Sequence, residues 1–119
     1  MDILRGLTND LTVFILKEKE TTIMLENKFQ SNLIKEIKDR FPGCIVMKND
    51  SSYIQGIPDL LVLHENKWGS LEVKQNAKAK HRPNQDYYVN KMNEMSFSAF
   101  IYPENKDETL QELESFFNR

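Results

Sequence analysis

Gly56-Ile57-Pro58-Asp59-Leu60-Leu61-Val62-Leu63, a short turn, then Trp68-Gly69-Ser70-Leu71-Glu72-Val73-Lys74-Gln75 is the stretch that decides how this chain is built. It predicts two adjacent strands, at about residues 59–64 and 69–75, with Asn66-Lys67 in a tight hairpin between them. Asp59 opens the first strand. Side chains repeat every two residues along a strand, so Glu72 and Lys74 share one face of the second. Two carboxylates and a cation are therefore expected to converge. Charges set beside a buried sheet must be paired or coordinated. Carboxylate oxygens suit Mg²⁺, with Mn²⁺ as a substitute, and such an ion keeps waters that a phosphate can replace. The same residues also fit an ordinary salt-bridge cluster on a surface hairpin.

The neighbouring segments extend this pair into a domain. Leu25, Phe29, Leu33, Ile37 and Phe41 recur every four positions, with Ile34 widening the stripe, and predict a helix over 23–41 stopped by Pro42-Gly43. Residues 44–48 read as a short apolar strand and Asn49 to Ser52 as a loop. Pro58 suits a strand start, where a missing amide donor costs little. Pro83 suits the first turn of a helix running to about Met95, with Tyr88, Met92 and Met95 on one face. Ser98 to Tyr102 predicts a fourth strand, and 107–117 a closing helix with Leu110, Leu113 and Phe117 inward. Residues 1–20 fall outside this plan. Leu11 to Leu16 reads equally as a strand or a buried helix.

Composition bounds the rest. A chain of 119 residues with 39% hydrophobic content suffices for one domain with one core. The single cysteine, Cys44, excludes an internal disulfide and reads as a buried strand residue of a protein of the reducing cytoplasm. The opening Met1-Asp2-Ile3-Leu4-Arg5-Gly6-Leu7 lacks the plan of a signal peptide, and no apolar stretch approaches a membrane span. Net charge is −2, unevenly spread. Between Lys74 and Lys91, five cations (Lys74, Lys78, Lys80, Arg82, Lys91) stand against Asp86, a balance of +4; from Glu104 onward five acids outnumber two cations, a balance of −3. The basic stretch follows directly on the Glu72/Lys74 strand, where a phosphate backbone needs counter-charges; the alternative is a solvated, Lys-rich loop. Glu26 lies seven residues before Leu33, hence on nearly the same line of the first helix and directed at the sheet; its alternative is an exposed helix-start acid favoured by the macrodipole. His64 and His81 lack the spacing of zinc ligands, and His81 is a possible phosphate contact. Tyr87 and Tyr88 read as one rim and one core residue, and Trp68 as hairpin packing.

Pro58-Asp59 followed by Glu72-Val73-Lys74 resembles the PD-(D/E)XK nuclease superfamily over about residues 25–102. The Gly-x-Pro-Asp form, with a Gln-bearing helix downstream, is similar to its small VRR-NUC and Holliday-junction-resolvase branches. The predicted order of helix, three strands, helix and strand is the α-β-β-β-α-β order of that superfamily. The resemblance implies an α/β fold with a restriction-endonuclease-like core: a mixed central sheet flanked by helices, in one nuclease domain over 1–119, with its core over 23–102. It implies Mg²⁺ held by Asp59, Glu72 and the Val73 carbonyl, with Glu26 binding or steering the metal, and leaves one metal or two open. Lys74 then stands beside the attacking water, and Gln85 approaches Lys74 from the start of the following helix; as a surface helix-start residue Gln85 reads equally well. From the charge distribution Lys78, Lys80 and Arg82 are expected to contact DNA, and Ser51 and Gln55 are placed to do so only by their position in the loop before Asp59.

The expected activity is Mg²⁺-dependent endonucleolytic hydrolysis of branched or otherwise structured DNA, in a bacterial or phage-infected cell. Competing readings are a restriction-type or nicking endonuclease on duplex DNA and a non-catalytic DNA-binding or interaction domain of the same fold. Paired incision of a junction further suggests a homodimer, with Leu11 to Leu16 at its two-fold interface or else covering its own sheet.

Overall fold

The computed structural model describes residues 3–119, with side chains from residue 9 onward. Helix α1 (Ile3–Arg40) runs unbroken for 38 residues. At 1.5 Å per residue it is about 57 Å long, which explains the 66 Å longest dimension of the molecule. The helix was expected only from Ile23. It reaches farther because no Gly or Pro interrupts residues 7–41. Leu11, Val13, Phe14, Ile15 and Leu16 are helical but exposed, so this segment is neither a strand nor a buried helix. Just beyond it, the Thr21 and Thr22 hydroxyls donate to the Lys17 and Glu18 carbonyls. Packing begins farther along. Leu25 is exposed and Phe29 half-buried, whereas Leu33, Ile37 and Phe41 enter the core. Pro42 and Gly43 then end the helix, with Gly43 at φ 86° and the Cys44 amide donating to the Phe41 carbonyl.

A four-stranded mixed sheet follows, in spatial order β1 (Ile45–Lys48), β2 (Leu60–His64), β3 (Lys67–Val73), β4 (Phe97–Ile101). The first three strands are antiparallel neighbours, and β4 lies parallel to β3. The hairpin turn is Glu65-Asn66, one residue earlier than expected, closed by the His64–Lys67 pair with Glu65 at φ 55°. The parallel pairing needs a crossover, and helix α2 (Gln85–Met95) supplies it. A short 3₁₀ turn leads into helix α3 (Lys106–Phe117). The chain is thus an α/β protein with a mixed open sheet and flanking helices. Among the described residues no helix is long and apolar enough to cross a membrane.

Strand alternation sorts the two faces of the sheet. Leu60, Val62, Leu71, Val73 and Ile101 meet Leu33, Ile37 and Phe41 of α1 and Leu110, Leu113 and Phe117 of α3 in one core. His64 belongs to this side, its ring 5.6 Å from Phe41 and 5.3 Å from Phe117. Ser70, Glu72 and Lys74 face the other way, under α2: the Ser70 hydroxyl bonds Ser98 at 2.7 Å and approaches the Met92 sulfur at 3.7 Å. The inward line of α2 therefore includes Gln85, Val89 and Met92, with Tyr88 half-buried. Met95, expected on that line, is exposed because the helix ends there, and Tyr87 is exposed at the rim. Cys44 is half-buried just ahead of β1 rather than within it.

Candidate active site

Asp59, Glu72, Lys74 and Gln85 meet where β2 and β3 end beneath the start of α2. Asp59 sits one residue before β2, and its Oδ2 accepts the Val73 amide at 2.9 Å, so the side chain completes the ladder where the strand pairing stops. Asn49 fixes the approach to it. The Asn49 amide donates to the Asp59 carbonyl at 2.8 Å, and its Nδ2 donates to the Pro58 carbonyl at 2.8 Å. Glu72 is only 2% exposed and Lys74 6%, which removes the surface-hairpin reading of the pair. Lys74 follows the last residue of β3, yet its amide donates to the Ile101 carbonyl at 2.8 Å and so keeps strand geometry.

Gln85 ties these groups together. It is 8% exposed, and its Oε1 accepts from the Lys74 ammonium at 2.6 Å and from the Arg82 amide at 2.8 Å. Its Nε2 donates to Glu72 Oε1 at 3.1 Å. A carboxamide suits this position because it offers an acceptor to a cation and a donor to a carboxylate at once. The Lys74 ammonium also donates to the Lys80 carbonyl at 3.2 Å, so the basic loop folds over it.

Electrostatics mark the site as short of positive charge. Burial, a hydrogen bond to Asp59 and the Asp59 charge push the Glu72 carboxyl up to about 10, against a smaller opposing pull from Lys74. At neutral pH the Glu72 carboxyl accordingly holds a proton in the metal-free protein. Glu26 is also raised, by burial first and then by the Asp59 charge, while Lys74 and Arg82 pull it down. Glu26 thus feels Asp59 across the same space. It sits deep within α1, 23 residues after the helix begins at Ile3, so it is not a helix-start acid.

The four groups open into a cavity of about 870 Å³. Its walls include Glu26 from α1, Ser51 and Gln55 from the loop before Asp59, and Lys78, Lys80 and Arg82 from the basic loop. The expected side chains Asp59, Glu72, Lys74, Gln85, Glu26, Ser51, Gln55, Lys78, Lys80 and Arg82 therefore border one space, whereas Val73, expected there through its carbonyl, is not among the lining residues and its side chain lies in the core. Among the described residues, however, no three His, Cys, Asp or Glu side chains are gathered tightly enough to form a ready metal-binding group. Compared with protein-family models, curated proteins and solved structures, the chain gives no match to any of the three.

Several wall residues were not singled out from sequence. Thr22, one helical turn before Glu26, and Asn76 border the cavity; the i, i+4 spacing of Thr22 and Glu26 was the available signal. His81, considered only as a phosphate contact, also lines it. Its ring stacks on Phe100 at 4.1 Å, and its Nδ1 lies 2.8 Å from Asp86 Oδ1. Gly56 has a packing role: at φ 90°, a Cβ there would stand 2.7 Å from the Asn84 backbone carbon and 2.8 Å from the Pro83 carbonyl oxygen. The loop before Asp59 is thereby pressed against the turn that launches α2. Gly56→Ala is expected to destabilise the protein by about 2 kcal/mol through left-handed strain and this clash; urea unfolding would measure it, and an unchanged midpoint would contradict the close approach.

Proposed function

We propose that the protein is a metal-dependent endonuclease of the PD-(D/E)XK type with a restriction-endonuclease-like core, acting on DNA and by preference on branched or structured DNA. The observation that carries the reading is the cluster of half-buried Asp59 with buried Glu72, Lys74 and Gln85, opening into a cavity walled by Lys78, Lys80 and Arg82. A carboxylic acid displaced to about 10 beside a second carboxylate is a costly arrangement without a cation. The donor set also suits a hard divalent ion. Asp59 and Glu72 are adjacent, and the Val73 carbonyl points to the same side of its strand as the amide that reaches Asp59. These three would hold Mg²⁺, with Glu26 facing the same space.

A bound Mg²⁺ supplies Lewis-acid activation of water and of the phosphate. The protein's own groups do the remaining work. Lys74, held by Gln85 and the Lys80 carbonyl, brings a positive charge to the cluster, where it favours hydroxide and the extra charge on the phosphoryl oxygens. Gln85 keeps Lys74 and Glu72 in fixed relation. Lys78, Lys80 and Arg82 are exposed on the cavity wall and bind the phosphate backbone without reading sequence.

Incubation of the purified protein with linear, nicked, flapped and four-way-junction DNAs tests this reading. Cleavage is expected with Mg²⁺ or Mn²⁺, binding with little turnover with Ca²⁺, and no cleavage in excess EDTA. Cutting only of linear duplex would move the reading to a restriction-type or nicking enzyme. Binding without cleavage under every ion would make this a non-catalytic DNA-binding domain. Because the cation must displace the Glu72 proton, apparent Mg²⁺ affinity is expected to tighten by up to about tenfold per pH unit between pH 6 and 9, below the Glu72 value of about 10. Calorimetric titration of the protein with Mg²⁺ across that range reads it, and a pH-independent affinity would remove Glu72 as a ligand.

A further inference from the structure

The first half of α1 projects as an arm whose described apolar side chains are exposed. Leu11, Val13, Phe14, Ile15, Leu16, Ile23, Met24 and Leu25 each leave between 43% and 70% of their surface exposed. A helix that is apolar on all sides over five of six positions belongs inside an assembly.

The charges beside this surface specify the partner. Leu11 and Phe14 are three residues apart and form one short apolar seam on the arm, which ends at exposed Glu18, seven residues after Leu11 on the same line. Asp10 and Lys17 are seven apart, so they lie on one line flanking that seam, and both are exposed. In a parallel pair of arms, each of these charges would face an apolar or uncharged position of the other copy. In an antiparallel pair with Leu11 set against Phe14, Asp10 of each copy meets Lys17 of the other, twice over by the two-fold axis. We propose that two copies of this chain associate through the α1 arms, antiparallel, in the register Leu11 against Phe14 and Asp10 against Lys17.

The register also spaces the cavities. The crossing point lies between Leu11 and Phe14, and Glu26, on the cavity wall, is about 13 residues farther along, so two Glu26 residues stand roughly 40 Å apart at 1.5 Å per residue. The crossing point precedes Thr22, the first residue of α1 on the cavity wall. The dimer would present two sites to one nucleic acid. Its existence does not depend on the nuclease reading, and the tests below need no cleavage assay.

Sedimentation at micromolar concentration is expected to show a dimer, and Leu11→Ser combined with Phe14→Ser a monomer with an unchanged thermal midpoint, because the arm lies outside the core. Asp10→Lys or Lys17→Asp alone should weaken association about tenfold, and the two together should restore it. In a Cys44→Ser background, spin labels at Lys28→Cys should read roughly 45 Å in the antiparallel pair; a parallel pair, with axes 8–10 Å apart, would bring them within about 20 Å. A wild-type monomer, a mass above the dimer, a short label distance or a double swap that fails to restore association would each overturn the proposal.

Discussion

Glu72→Gln is expected to abolish Mg²⁺-dependent cleavage while making the metal-free protein more stable. Activity should fall about a thousandfold or more, since an amide cannot serve as the anionic ligand the cation needs. The stability effect has the opposite sign to that of most buried substitutions. Glu72 holds its proton up to about 10 in the folded protein, against 4.5 as the ordinary value. Between those values the folded state binds a proton that the unfolded state lacks, so stability is lost as pH rises. Gln does not ionise and escapes this loss. Its oxygen can still accept from Gln85 Nε2, and its own NH₂ can donate toward Asp59. Each displaced pKa unit amounts to ~1.4 kcal/mol. After relaxation and water entry, a gain of about 2 kcal/mol at pH 8 is expected, shrinking toward pH 5. Thermal unfolding at the two pH values measures it. Asp59→Asn and Lys74→Ala should lose activity similarly. Full activity in any of the three would overturn the site assignment, and a destabilised Glu72→Gln at pH 8 would mean that Glu72 is ionised and paired.

Replacing Lys78, Lys80 and Arg82 together with Ala is expected to flatten the salt dependence of DNA binding by about 2.7 in log–log slope, at 0.9 per lost phosphate contact. Raising salt from 50 to 200 mM would then cost the variant about 40-fold less affinity than it costs the wild type. The fold should be untouched. All three side chains are exposed, and the Lys80 group that holds Lys74 is its backbone carbonyl, which Ala retains. The single-turnover rate at saturating DNA should fall far less than binding does. Fluorescence anisotropy across a salt series reads the slope, and an unchanged value would return the stretch to a solvated loop.

Much of this arrangement was legible because it rests on short-range rules. Strand alternation placed Glu72 and Lys74 together, and the four-residue period of Leu25, Phe29, Leu33, Ile37 and Phe41 found the packed part of α1 from Phe29 onward, although Leu25 is exposed. Gln85 was harder. Its position at the start of a helix follows from Pro83, but its burial depends on where the chain carries that helix, and an exposed residue was an equally good reading. Leu11 to Leu16 was misjudged for a different reason. An apolar run predicts burial, and among the described residues nothing covers it.

Local patterns by themselves determined the order of elements, the core-facing residues of α3 and those of α1 from Phe29 onward, the clustering of two carboxylates and a lysine, and the basic character of the segment that follows. Periodicity and turn chemistry act over a few residues, so they survive without knowledge of the fold. Tertiary structure alone decided that Glu72 lies beneath α2 on the face opposite Leu71 and Val73, and that Gln85 joins Lys74 to Glu72. It also decided that Gly56 braces the turn at Pro83 and Asn84 and that Glu26 faces Asp59 across the cavity. Those contacts join residues 11 to 33 positions apart. Their geometry, and the burial that lifts the Glu72 carboxyl to about 10, exists only once the parallel crossover has closed over the end of β3.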